Sequence, residues 1–65
     1  MEEVKVLLQR TKDIALIAWR CSKGSVEFVT TSAYREDGTW NGGSYFGNEL
    51  EKALTDYKAR VKGEV

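Results

Sequence analysis

The sequence predicts an α+β domain, a four-stranded antiparallel sheet followed by one C-terminal helix. Three observations predict it. Ile14–Cys21 and Val26–Tyr34 are short apolar runs rich in the β-branched and aromatic residues that suit a pleated surface. Asp37-Gly38, a hairpin dipeptide, joins the second run to an aromatic segment, Trp40–Phe46. Leu50, Ala53, Leu54, Tyr57 and Val61 then recur at helical spacing. The whole chain, residues 1–65, reads as a single β-β-β-β-α domain with no linker, repeat or low-complexity stretch.

The first element is Val4–Gln9. Val4, Val6 and Leu8 alternate as in a strand, whereas Val4, Leu7, Leu8 and Thr11 fit a helical face. Two β-branched residues and the short length favour a strand, and a helix here would leave a three-stranded sheet. Thr11-Lys12-Asp13 is a polar break suited to a turn. In Ile14–Cys21, Ile14, Leu16 and Ala18 fall on one face and Ala15, Ile17 and Trp19 on the other, so both faces need covering. Ser22-Lys23-Gly24-Ser25 is the next turn. In the following strand Val26, Phe28 and Thr30 point one way and Glu27, Val29 and Thr31 the other. Gly42-Gly43 interrupts the aromatic strand and marks a bulge or a close backbone approach, which leaves the faces of Trp40 and Tyr45 open. Trp40 is expected to anchor the hairpin against its cross-strand partners and the helix stripe. Asn48 is expected to cap the helix, with Glu51 completing a capping box and Gly63 ending it.

Composition excludes several function classes. Ten basic and ten acidic residues cancel. A duplex-DNA binder or a membrane-surface peptide would be basic, and a nucleic-acid mimic would be acidic. No apolar run approaches the roughly 20 residues that span a bilayer, so no membrane partner is expected. The acidic Met1-Glu2-Glu3 start is unlike a signal peptide, and with one free cysteine the chain reads as cytoplasmic. Cys21 is the only cysteine and there is no histidine, so neither an internal disulfide nor an ordinary zinc site can brace so small a core. A homodimer is therefore expected.

The same inventory offers little catalysis. Cys21 has no histidine to activate it and reads as a small apolar residue. Glu36 with Asp37, and Glu49 with Glu51, are explained by turn chemistry and by helix N-terminal charge. The glycine-rich Gly38–Gly43 lacks the spacing of a phosphate loop. Catalytic, metal and cofactor sites are all expected to be absent. The aromatics are the remaining resource. Trp19 and Tyr34, with Arg20 and Arg35 beside them in sequence, are the candidate binding residues. They would stack single-stranded bases or pack against a second subunit if the sheet face away from the helix is open.

Trp40-Asn41-Gly42-Gly43-Ser44-Tyr45-Phe46 fits W-x-x-G-x-Y-F, and Ala53–Arg60 fits A-L-x-x-Y/F-x-x-R. Together they resemble small proteins of Gram-positive bacteria and their phages, a resemblance that covers Val26–Arg60 and carries no activity with it. Length and β-β-β-β-α order are also similar to PC4-like transcriptional-coactivator domains, which implies dimers that bind single-stranded DNA across the sheet; this similarity is one of architecture alone. The leading expectation is a non-enzymatic protein-interaction module, phage-derived and acting on a host protein. The alternative is a single-stranded nucleic-acid-binding protein, which clustering of Arg10, Arg20, Lys23 and Arg35 beside an exposed aromatic would favour.

Overall fold

Alternation along one central strand divides the molecule into two apolar layers. The computed structural model describes residues 3–21 and 23–64 and contains β1 (Val4–Thr11), β2 (Ile14–Arg20), β3 (Val26–Thr31), β4 (Ser44–Tyr45) and α1 (Leu50–Lys62). The strands form one four-stranded antiparallel sheet, as the sequence predicts, and lie in it in the order β1-β2-β3-β4. Leu16 faces the helix and packs with Ala53 and Tyr57, joined by Ile14, Phe28, Phe46 and Leu54. Ala15 and Ile17 face the other way and pack with Val29, Trp19, Tyr34 and Trp40. The expected facing of β2 and β3 is therefore observed. The second face is covered by residues 32–43 of the same chain.

The β1–β2 loop is the two residues Lys12 and Asp13, with Lys12 at φ 56° supplying the left-handed step such tight loops need. The bulge lies in β1, where the register slips between Leu7 and Gln9, and not at the glycines. Gly43 instead makes the close approach: a Cβ there would sit 2.5 Å from the carbonyl oxygen of Thr30. Of the expected turn at residues 22–25, Ser22 lies outside the described residues, as do Met1 and Glu2; the turn is closed by the Cys21 N–H donating to Ser25 O and the Gly24 N–H to Cys21 O.

β1 runs on to Thr11 rather than ending at Gln9 and β2 stops at Arg20 rather than Cys21, and three further boundaries differ from expectation. β3 stops at Thr31 rather than Tyr34, because the Thr31 hydroxyl donates to Gly42 O and accepts from the Ala33 N–H, turning the chain off the sheet. The aromatic strand is correspondingly short. Trp40 leaves it and pairs only with Tyr34 in an isolated bridge, around the turn that Asp37 closes by accepting from the Thr39 N–H and hydroxyl. The helix begins at Leu50 after Glu49, with no side-chain cap from Asn48 and no capping box; backbone bonds of the preceding turn, Glu49 N–H to Phe46 O and Leu50 N–H to Asn48 O, do that work. Its far end follows the sequence. Gly63 at φ 80° donates to Arg60 O and Glu64 to Ala59 O, a Schellman closure.

A polar clasp ties the helix to the sheet. Asp56 Oδ2 accepts from the Thr30 hydroxyl and from Arg60 Nε at 2.7 Å. Arg60 donates its other two nitrogens to Ser32 Oγ (2.8 Å) and Ser44 Oγ (3.0 Å). Burial pushes the Asp56 carboxyl up, but the Thr30 hydroxyl and the Arg60 guanidinium together outweigh it and hold the group below its ordinary range. Tyr57 and Thr11 join their hydroxyls at 2.8 Å further along the helix.

Candidate functional site

Two surfaces stand out from this frame. The first is built on the sheet face away from the helix. β2 places Trp19 there, the register sets Lys5 of β1 opposite it, and residues 32–43 bring Tyr34 and Trp40 across. Trp19 and Trp40 meet edge to face, with ring centroids 6.1 Å apart, and Trp19 lies 6.3 Å from Tyr45. Trp40 Nε1 donates to the Tyr45 hydroxyl at 3.1 Å, so these two rings share a face. Trp40 thus anchors the second layer and not the helix stripe, a correction to the expected packing. The reason is the turn at Thr31, which carries the segment to the far side of the sheet.

Cations cap this aromatic cluster. Lys5 Nζ lies 5.1 Å from the Trp40 ring centre and 5.8 Å from that of Trp19; the Arg10 guanidinium lies 5.1 Å from that of Tyr34. Arg10 also pairs with Glu36 at 2.8 Å. That hydrogen bond raises the guanidinium pKa and lowers the carboxyl pKa. Trp19 Nε1 is enclosed without a hydrogen-bond acceptor among the described residues.

Of the four candidate binding residues, Trp19 and Tyr34 lie on this face. Arg20 has the parity of Leu16 and Ala18, on the helix side. Arg35 sits in the loop, where its guanidinium reaches Thr39 Oγ1 at 3.5 Å. The structure joins Trp19 with Trp40, Tyr45 and Lys5, and Tyr34 with Arg10. Lys5 is the participant that sequence reasoning missed. Its signal was its place in an alternating strand, which a known register with β2 would have set beside Trp19.

The second surface is on the helix side, where α1 packs over β2 and β3. Cross-strand rows fix its extent. Val6, Ala18 and Phe28 form one row, and Val4, Arg20 and Val26 the next. Phe28 lies under the helix, whereas Val4, Val6 and Val26 are exposed, as is Leu50 at the helix start. Leu7, on the other face opposite Ile17, and Leu8, at the bulge, are exposed too, so four large aliphatics of one edge strand lie open.

Cys21 is half-buried at the end of β2, and among the described residues no group of His, Cys, Asp and Glu could hold a metal ion. No helix among them is long and apolar enough to cross a membrane. A shallow groove beside α1, lined by Phe46, Thr55, Asp56 and Ala59, is open to solvent. No family model, no curated protein and no solved structure matches the chain.

Proposed function

We propose that this chain is a non-enzymatic protein-interaction module of the cytoplasm, docking a partner protein on the bare strip beside α1. One observation carries the reading: Val4, Val6 and Val26 are exposed in adjoining cross-strand rows on the helix side, and Leu50 is exposed at the helix start, where a small domain normally buries such residues. A host protein as the partner rests on the resemblance of the hairpin–helix segment to phage and Gram-positive proteins. The test is affinity capture with the parent, Val26→Asp and Tyr45→Ala. The reading expects the captured partner to be lost with Val26→Asp and kept with Tyr45→Ala. A partner retained by a folded Val26→Asp protein refutes it.

A second reading, single-stranded nucleic-acid binding, draws on the other face, where Lys5 and Arg10 lie beside Trp19, Trp40 and Tyr34. It ranks lower because Arg10 is already neutralised by Glu36 and both cations sit over the rings that bases would stack on. Titration with oligothymidylate at low salt decides it: this reading needs a shift in tryptophan fluorescence that salt reverses.

A further inference from the structure

We propose that the free edge of β1 pairs antiparallel with β1 of a second copy, about a two-fold axis that passes beside Val6. The proposal rests on and deepens the module reading by naming what occupies the edge: it takes Val4 and Val6 of the exposed strip and leaves Val26 and Leu50 for the partner protein. β1 is a sheet edge, and its residues from Val4 to Thr11 are all exposed. The opposite edge, β4, is the two residues Ser44–Tyr45 and offers little to pair with. An edge strand carries unpaired N–H and C=O groups, which a second strand satisfies.

Charge placement admits a second copy in this register. Centred on Val6, the pairing sets Val6 against its own copy and Lys5 against Leu7, with Val4 and Leu8 at the ends where the bulge interrupts the ladder, so no like charges meet. Centred on Lys5, it would set two ammonium groups against each other, which destabilises a strand pair. Lys5 itself is accommodated, because its ammonium is drawn back over Trp40 and Trp19, away from the free edge, and leaves its alkyl stem to meet Leu7. The bulge after Leu7 ends the regular ladder and confines pairing to the stretch where these contacts form. The single cysteine and the absent histidine leave subunit pairing as the brace open to so small a core.

The two-fold makes a strict test. Val6 is 48% exposed, so Val6→Lys and Val6→Glu should each fold, which far-UV circular dichroism and melting will show. Sedimentation equilibrium from low micromolar to millimolar concentration should find the parent dimeric and each variant monomeric, since each sets like charges together at the axis. Mixing the two variants should restore a dimer, with one lysine facing one glutamate. A parent that stays monomeric throughout overturns the second copy as occupant, while the module reading continues to rest on the Val26→Asp capture. A dimer that survives both variants, or a mixture that stays monomeric, overturns the pairing about Val6.

Discussion

Replacing Arg60 with methionine keeps the aliphatic stem and removes the clasp between helix and sheet. The guanidinium makes three hydrogen bonds, to Asp56, Ser32 and Ser44, and its loss leaves the Asp56 carboxylate with the Thr30 hydroxyl alone. The Arg60 and Asp56 side chains are only 13% and 20% exposed, so solvent screens the pair far less than a surface pair. Charge-assisted bonds in such a setting, with a partly uncompensated carboxylate left behind, suggest a loss of about 2–3 kcal/mol. A domain of this size has on the order of 3–5 kcal/mol to lose. At about 4–8 °C per kcal/mol, melting should fall by on the order of 10–20 °C. Urea unfolding followed by tryptophan fluorescence is the assay, run as a double-mutant cycle with Asp56→Asn. A coupling energy below about 0.5 kcal/mol would refute the clasp as a stabilising unit. So would a loss no larger than that of Lys62→Met, which removes a nearby exposed charge.

Gly43→Ala should cost about 1–3 kcal/mol in urea unfolding, because the new Cβ would press within 2.5 Å of a backbone oxygen in β3 that cannot swing aside. Trp40→Ala should cost about 2–4 kcal/mol, less than a fully buried aromatic, and should remove the near-UV circular dichroism of the coupled Trp19–Trp40 pair; an unchanged near-UV spectrum would contradict the packing. The depressed Asp56 carboxyl contributes stability that is present above the ordinary aspartate pKa of about 3.9 and is lost as pH falls through its lower folded-state value. Urea midpoints measured below about pH 4 should fall more steeply for the parent than for Asp56→Asn, which cannot titrate there.

The fold was legible where local chemistry and tertiary contact agree. The two-sided apolar pattern of Ile14–Trp19 demanded covers on both faces, and both exist. The helix stripe and its glycine stop depend on i, i+3 and i+4 neighbours, which sequence spacing encodes directly. What escaped were features decided at a distance. Thr31 ends its strand through a hydroxyl bond to Gly42 O, eleven residues on, and nothing within Val26–Tyr34 announces it. That one turn carried Trp40 to the face away from the helix stripe it was expected to pack against. Asn48 was read as a cap by residue type, but the backbone of the preceding turn already serves the helix start. Of the candidate binding residues, Trp19 lies on the second face by strand parity, whereas Tyr34, with the parity of Phe28 and Thr30, reaches that face only because the strand ends at Thr31. Arg20 does not lie there, since adjacency to Trp19 along β2 sends its side chain to the opposite face, and Arg35 lies in the loop beyond the strand.

The meander order of the sheet bears on how the chain reaches this state. Each strand pairs with the one just before it, and no connection crosses over. Closing the Lys12-Asp13 loop brings β1 and β2 together at small entropic cost, and β3 can then add along a template already formed. The longer excursion of residues 32–43 and the docking of α1 must follow, because each needs a sheet face to settle on. These two late events involve different reporters. Closure of the excursion sets the Trp19–Trp40 geometry, while helix docking brings Tyr57 to Thr11. Stopped-flow refolding should therefore separate the layers: tryptophan emission follows one face of the sheet, and far-UV ellipticity follows the other.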